Sequence, residues 1–287
     1  MRRLTTYDHW DSKLKGLEQK ILPQKSPASK SRFKNAVRRL LGERALAYIR
    51  NYSDYLLWEV IYPKYLPSQS GLKAVEIGSA PGHFLLKLHK NFGFVPFGIE
   101  YTESGAEVNR QVFATNNIDP ENVFHVDFFS DEFHRQYASY FDIVISRGFI
   151  EHFDDVKEVI DRHMNLLVPG GHLVVSVPNK RGMNYLFTLL FHRQEIAMHN
   201  IRIMTRREFR KQFDDGRLEP LFCDYYGIFT FNQFNTRPNS PMRFVLSLCR
   251  FAQFGLNALF WLVFRRRGPE TPWASPYLLY IGMRKPE

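Results

Sequence analysis

Three acidic residues, Glu76, Glu100 and Asp127, each lie in or close after a short apolar run, and the first stands just ahead of a loop of small residues, Gly78-Ser79-Ala80-Pro81-Gly82. Small residues let a backbone come close to a ligand. The helical stretch HFLLKLHK that follows offers unpaired N–H groups and the positive end of its dipole. A carboxylate inside an apolar run is costly to bury unpaired, so Glu76 is expected to have a partner. Glu100 falls roughly where a Rossmann-type fold places the acid that accepts from ribose hydroxyls. Asp127, followed by Phe128 and Phe129, suits the amino group of an adenine whose ring is flanked by an aromatic side chain. A second constellation is GFIEHFDD, which sets Glu151 and His152 just past the fourth apolar run. Histidine is the side chain best suited to take a hydroxyl proton near neutral pH. His152 is the candidate base, with Glu151 or Asp154 in support, and His199, ahead of TRREF, is a second candidate.

The glycine spacing separates this loop from its rivals. A nicotinamide-binding loop reads G-x-G-x-x-G and a phosphate-cradling NTPase loop reads G-x-x-x-x-G-K-S/T. Here the loop is G-x-x-x-G, and neither alternative pattern occurs.

The elements that must position these residues are legible from residue 72 onward. The short runs LKAVEIG, FVPFGIE, NVFHVDFF, YFDIVIS and HLVVSVP alternate with amphipathic stretches near 82–90, 103–116 and 154–166. Strands alternating with helices predict a parallel sheet covered on both faces. LVPGG at 167–171 reads as the turn that ends a helix and re-enters the sheet, and YLLYIGMRK near the end reads as a final strand. Ahead of this core, residues 1–30 read as a polar tether or partly ordered arm. Residues 31–62 have helical periodicity, with Gly42 separating two helices. The predicted organisation is a basic arm with helices at 1–70 and a core at 71–230 that carries an insertion at 180–200. An apolar helical insertion at 231–272 and a closing strand at 273–287 complete it.

The net charge of +10 is uneven. Residues 1–50 hold 13 Lys/Arg against 4 Asp/Glu, whereas residues 51–150 hold 7 against 12. A basic arm of this kind is either a solvated helical face or a dock for phosphates on nucleic acid or anionic lipid. Two cysteines, Cys223 and Cys249, form no Cys-x-x-Cys pair, so neither a zinc knuckle nor a disulfide framework is suggested. With no secretory pattern in MRRLTTYDHWDSKLKG, the expected location is the cytoplasm, either free or peripheral at the inner face of the membrane.

On these motifs the chain resembles the class I S-adenosylmethionine-dependent methyltransferases. VEIGSAPGHF is similar to their glycine-rich first motif, GIEYTESG to the acidic motif of the second strand, VDFF to the adenine motif and FDIVISRGFIEHFDD to the fourth-strand motif. LLVPGGHLVVSVPN resembles the fifth-strand region, and the match spans about residues 71–180. The resemblance implies an α/β fold, a Rossmann-like seven-stranded, mostly parallel sheet with a reversed last strand. It also implies S-adenosyl-L-methionine as cofactor. By the same carry-over Glu76 and Gly78 line the methionine end, with Ser79, Ala80 and Gly82 in the same loop. Glu100 binds the ribose, with Tyr101 also a cofactor-binding residue, Asp127 and Phe128 hold the adenine, and Ser146 or Arg147 closes the pocket.

Methyl transfer from a sulfonium depends largely on alignment of the acceptor. The expected activity is O-methylation of a small molecule, saccharide or lipid-linked substrate, independent of residues 1–30. The alternative is a nucleic-acid methyltransferase docking through the basic arm. SRGF stands where DNA base-amino enzymes carry Asp/Asn/Ser-Pro-Pro-Tyr/Phe, which disfavours that class. Catechol-type relatives bind a metal through acids at the end of the fourth strand. Here Asp142 begins that strand and Ser146-Arg147 ends it, so no metal is expected. The apolar stretches 183–191 and 242–264 bear on the acceptor. Arg250 argues against a spanning helix in the second. Each stretch is either an element lying in a membrane interface, a cap over the acceptor, or a contact between copies.

Overall fold

A computed structural model describes residues 2–21, 42, 45–234, 242–264 and 270–286. Seven strands form one sheet: β1 (Lys73–Ile77), β2 (Val95–Glu100), β3 (Val123–His125), β4 (Phe141–Arg147), β5 (Leu167–Pro178), β6 (Leu218–Tyr226) and β7 (Tyr277–Arg284). Their order is β3-β2-β1-β4-β5-β7-β6. β1 pairs in parallel with β2 and β4, β2 with β3, and β4 with β5. The last strand, β7, runs antiparallel between β5 and β6. Strand order turns at β1, and the crevice beyond the C-terminal ends of β1 and β4 is where such sheets take ligands.

The central strands are Val/Ile-rich because both faces are covered. Val75, Ile77 and Val144 face one layer with Val159, Ile160 and Phe209. Ala74, Ile143, Ile145 and Val174 face the other with Tyr48, Tyr52, Trp58, Leu85 and Leu88. The helices are α1 (Tyr7–Ile21), α2 (Tyr52–Leu56), α3 (Tyr62–Tyr65), α4 (His83–Phe92), α5 (Glu103–Ala114), α6 (Asp131–Gln136), α7 (Val156–Leu166), α8 (Gly182–His192), α9 (Arg206–Lys211) and α10 (Met242–Phe264). A π turn, Leu57–Ile61, joins α2 to α3. Side chains start the helices that matter to the site: Thr102 Oγ1 accepts from Gly105 N ahead of α5, and Asp155 from Glu158 N ahead of α7.

Several expectations are corrected. Residues 7–21 are not a tether but a helix, α1, packed on the core beside α5. The predicted helical positions Phe33, Val37, Leu40 and Leu41 lie outside the described residues, as do Arg265–Arg267. NVFHVDFF yields only the three-residue β3, so Asp127 stands past the strand rather than in it. LVPGG is not a plain turn. Leu167 already pairs with Phe141, the register then shifts, and the bulge lets His172 resume opposite Ile143. β6 was not read from sequence at all: LEPLFCDYY alternates weakly, and Pro220 sits at its register shift.

Candidate functional site

A cavity of about 360 Å³ opens beyond the ends of β1 and β2. Its floor is the small-residue loop. Gly78 has φ +69 and its N–H reaches Ile99 O at 2.9 Å, a left-handed conformation that lets the backbone turn under the cavity. Gly82, at φ +88, is closed from behind: a Cβ there would lie 2.1 Å from Asn109 Oδ1. The same Asn109 donates to Ser79 Oγ at 2.6 Å, so α5 clamps the loop. Glu100 is buried at the rim and fixed by Thr102, whose N–H and hydroxyl donate to Oε1 at 3.1 and 2.8 Å. Its Oε2 accepts from Ala80 N at 3.4 Å.

Glu76 has the partner its burial requires. Arg147 Nε, from the end of β4, donates to Oε1 at 2.9 Å, and the guanidinium lies 3.6 Å over the Phe84 ring. Burial raises the Glu76 carboxyl above its ordinary value, and Arg147 opposes this. Oε2 of Glu76 is buried without a hydrogen-bond partner, although Glu76 lines the cavity. A buried orphan acceptor facing a cavity calls for a ligand donor.

The roof is the N-terminal segment. Arg3 bridges with Phe153, and Leu4 N donates to His152 O at 2.8 Å. The Tyr101 hydroxyl donates to Thr6 O at 3.3 Å, and the Ser104 hydroxyl to Asp11 Oδ1 at 2.6 Å. Burial pushes the Tyr101 phenol up to about 12. Arg3, Trp10, Lys13 and Leu14 are thereby walls of the cavity. An activity indifferent to residues 1–30 does not fit this arrangement, because the described part of that arm is built into the site.

A second cavity, about 950 Å³, shares Trp10, Lys13, Arg147, Gly148 and His152 with the first. Glu151, His152 and His199 line it together. The His152 and His199 rings are 4.7 Å apart. Both imidazoles bond through Nδ1 to backbone carbonyls of one short segment: His152 to Met198 O at 2.7 Å and His199 to Glu195 O at 2.5 Å. A carbonyl can only accept, so Nδ1 carries the hydrogen and each Nε2 keeps its lone pair. Burial, then the neighbouring His199, lowers His152 to about 3. Burial likewise lowers His199 and raises Glu151 to about 8. Glu151 is 1% exposed, and neither of its carboxylate oxygens has a hydrogen-bond partner.

Of the residues named from sequence, Glu76, Gly78, Ala80, Glu100, Tyr101, Asp127, Phe128 and Arg147 line the first cavity. Ser79 and Gly82 stand behind it, tied to or abutting Asn109. Ser146 is fully buried in β4 and does not line it, because alternation along the strand turns its neighbour Arg147 to the cavity instead. Asp154 does not support His152: it accepts from Arg2 N at 2.6 Å and Asp155 N at 2.8 Å, on the arm side. Sequence reading missed Arg3, Trp10, Lys13, Thr102 and Asn109. Thr102 alone left a signal, as a helix-capping residue directly after Glu100 and Tyr101.

The fold and the crevice define a class I S-adenosylmethionine-dependent methyltransferase. The residues present fit that cofactor: a small-residue loop, the Glu100 carboxylate held by Thr102, and the orphan oxygen of Glu76 meet in one cavity. A family model described as a methyltransferase domain matches residues 44–218, and the chain belongs to this family. Among curated relatives, a ubiquinone biosynthesis O-methyltransferase of Acinetobacter baumannii (strain AYE) is 25% identical over 121 residues. The match covers 42% of this chain, which spans half the length of that relative. Among solved structures, the geranyl diphosphate C-methyltransferase of Streptomyces coelicolor A3(2) superposes with a TM-score of 0.52 at 16% identity, covering 80% of this chain and 76% of that one. The MccD protein superposes at 0.55 and 12% identity, covering 82% and 99%. These likenesses are of fold.

Proposed function

We propose that this protein methylates a hydroxyl of a lipid or lipid-linked acceptor at a membrane surface. The observation that carries the transfer is the junction of the two cavities at His152. S-adenosyl-L-methionine, when bound, supplies a methyl group on a sulfonium that an aligned oxygen takes by in-line displacement. Glu76, Glu100 and the glycine loop hold the donor side. Trp10, Lys13 and Arg147 line both cavities where they meet. The acceptor hydroxyl lies at the Glu151–His152–His199 cluster, where uncharged imidazoles with free Nε2 lone pairs can draw on its hydrogen.

The lipid character of the acceptor is supported by α10, whose amphipathy is reversed. Arg250, Gln253 and Asn257 point into the protein: Arg250 donates to Phe234 O at 2.6 Å, Gln253 to Phe229 O at 3.1 Å and Asn257 to Ile49 O at 2.8 Å. Phe244, Leu248, Phe251, Leu259 and Leu262 point out, with Phe251 80% exposed. Leu186 and Leu190 of α8 are also exposed. By length and composition α10 could cross a membrane. Its polar edge is bonded to the domain across its central turns, from Arg250 to Asn257, however, which suits an element lying in the interface plane with its apolar side in lipid. Docking on nucleic acid through the arm has less support: Arg3 is paired with Asp127 and Lys15 with Asp11.

The test is transfer of labelled methyl from donor to a membrane extract, with flotation of the protein on anionic liposomes. Label in the organic phase and co-migration support the proposal. Label in nucleic acid, or no co-migration at low salt, rejects it.

A further inference from the structure

We infer that Glu151, His152 and His199 form a binding site for a divalent transition-metal ion of the zinc class. The one ligand atom each residue offers lies within 4.8 Å of the other two. His152 Nε2 is 3.9 Å from Glu151 Oε1. An ion with bonds of about 2.0–2.2 Å would draw these atoms inward by a small side-chain rotation.

Two independent features distinguish this cluster from a chance grouping. The first is the orphan carboxylate. Glu151 is buried, and both its oxygens lack hydrogen-bond partners within the protein; a buried carboxylate in that state needs a counterpart such as an ion, a water or a ligand. The second is the shell behind the histidines. Ligating imidazoles characteristically donate their other N–H to a carbonyl or carboxylate, which fixes ring and tautomer. Here both Nδ1 atoms do so, to Met198 O and Glu195 O. Both carbonyls come from the single 3-10 segment Arg193–Met198. Asn200 N donates to Glu151 O at 2.6 Å and its amide to Phe153 O at 3.1 Å, which locks that segment against the turn carrying Glu151 and His152. The nearby cations have contacts of their own, although their charges also act on the cluster. Lys180 is held by Glu195 at 2.8 Å, and Lys13 lies 4.7 Å over the Trp10 ring.

Two imidazoles with one carboxylate suit zinc, cobalt or iron better than magnesium or calcium, which favour all-oxygen sets. Three protein ligands leave a coordination position open, and here it faces the larger cavity. An acceptor oxygen bound there would be polarised by the ion. This catalytic use rests on the transfer proposed above, with the ion meeting the hydroxyl in place of the Nε2 lone pairs, which are then metal ligands; the binding does not rest on it. The expectation of no metal rested on the missing Cys-x-x-Cys pair and on the acids of the fourth strand, and these donors lie beyond that strand.

The test is titration of Co²⁺ into the tag-free, chelator-treated full chain, read by visible ligand-field absorption. One Co²⁺ per chain, displaced by Zn²⁺ and weakened at least about tenfold in Glu151→Gln and in His199→Ala, is the expected result. X-ray absorption of the Zn²⁺-loaded wild type is a second reading that depends on no variant's folding, and it is expected to show imidazole scattering. No cobalt band, a band unchanged in both variants, or no imidazole scattering overturns the site. Full methyl transfer in the presence of chelator would reject the ion's catalytic use and leave the transferase reading standing. No transfer by the metal-loaded protein, with cobalt binding intact, would reject the transferase reading and leave the binding site standing.

Discussion

One guanidinium nitrogen of Arg3 bridges both carboxylate oxygens of Asp127, at 2.7 and 2.5 Å, joining the start of the chain to the loop after β3. The same guanidinium lies against the Tyr101 and Phe129 rings, 5.6 and 5.3 Å from their centroids. The N-terminal segment thus closes over the donor cavity through the very acid that the family resemblance gives to adenine.

Arg3→Ala is therefore expected to weaken donor binding. The pair is roughly half exposed on each side, so its worth is about 0.2–1 kcal/mol, a rise in Kd of about 1.4- to fivefold. Calorimetric titration with the donor checks this. An unchanged Kd would show that the arm does not restrain the donor.

Gly82→Ala is expected to destabilise the fold by about 1–3 kcal/mol through positive-φ strain. A further part of the cost is the clash of its Cβ with the Asn109 amide. That part should shrink in an Asn109→Ala background, as a double-mutant cycle by urea unfolding would show. Equal costs in both backgrounds would mean that Asn109 yields freely.

Asp215 gives a pH dependence. Burial alone would raise its carboxyl, but hydrogen bonds from Arg217 and Lys157 outweigh this and hold it well below the ordinary value of 3.8. A folded-state value below the unfolded one adds stability that is complete well above 3.8 and fades as the pH falls below it. Asp215→Asn should cost about 1 kcal/mol at pH 7, with the gap to wild type closing in strong acid. Tm measured against pH decides. A gap that persists undiminished in strong acid would assign the effect to packing.

On α10 the two edges should respond oppositely. Phe251→Glu with Leu262→Glu is expected to abolish liposome co-migration while leaving Tm and donor binding near wild type. Gln253→Leu should instead lower stability by about 1–3 kcal/mol, because it strands Phe229 O and the Asn257 amide. Retained flotation of the double variant would move the membrane contact off this helix.

The parallel core was legible because its determinants are local. Val/Ile runs of strand length, the G-x-x-x-G loop at the end of β1 and the acid at the end of β2 each lie within one element and its exit. Their chain order follows from how consecutive strands and helices pack. The short β3 and the weakly alternating β6 were less legible, since each owes its place to pairing with β2 or β7 rather than to its own pattern.

The amino-acid sequence by itself determined the sheet, the donor loop and the presence of Glu151-His152 at the end of β4. Tertiary structure alone decided what meets them. His199 reaches His152 because one 3-10 segment presents two carbonyls to two rings, a relation with no local pattern. Arg3, Trp10 and Lys13 enter the site because α1 folds back on α5, and nothing in a polar amphipathic helix states which surface it will cover. The reversed sidedness of α10 is of the same kind. An apolar helix with a polar stripe is ordinarily placed with its apolar side inward, and only the carbonyls of Ile49, Phe229 and Phe234 waiting beneath Asn257, Gln253 and Arg250 turn it over. Hydrogen-bond partners far apart in sequence are set by the fold, whereas periodicity records only that a helix has two faces.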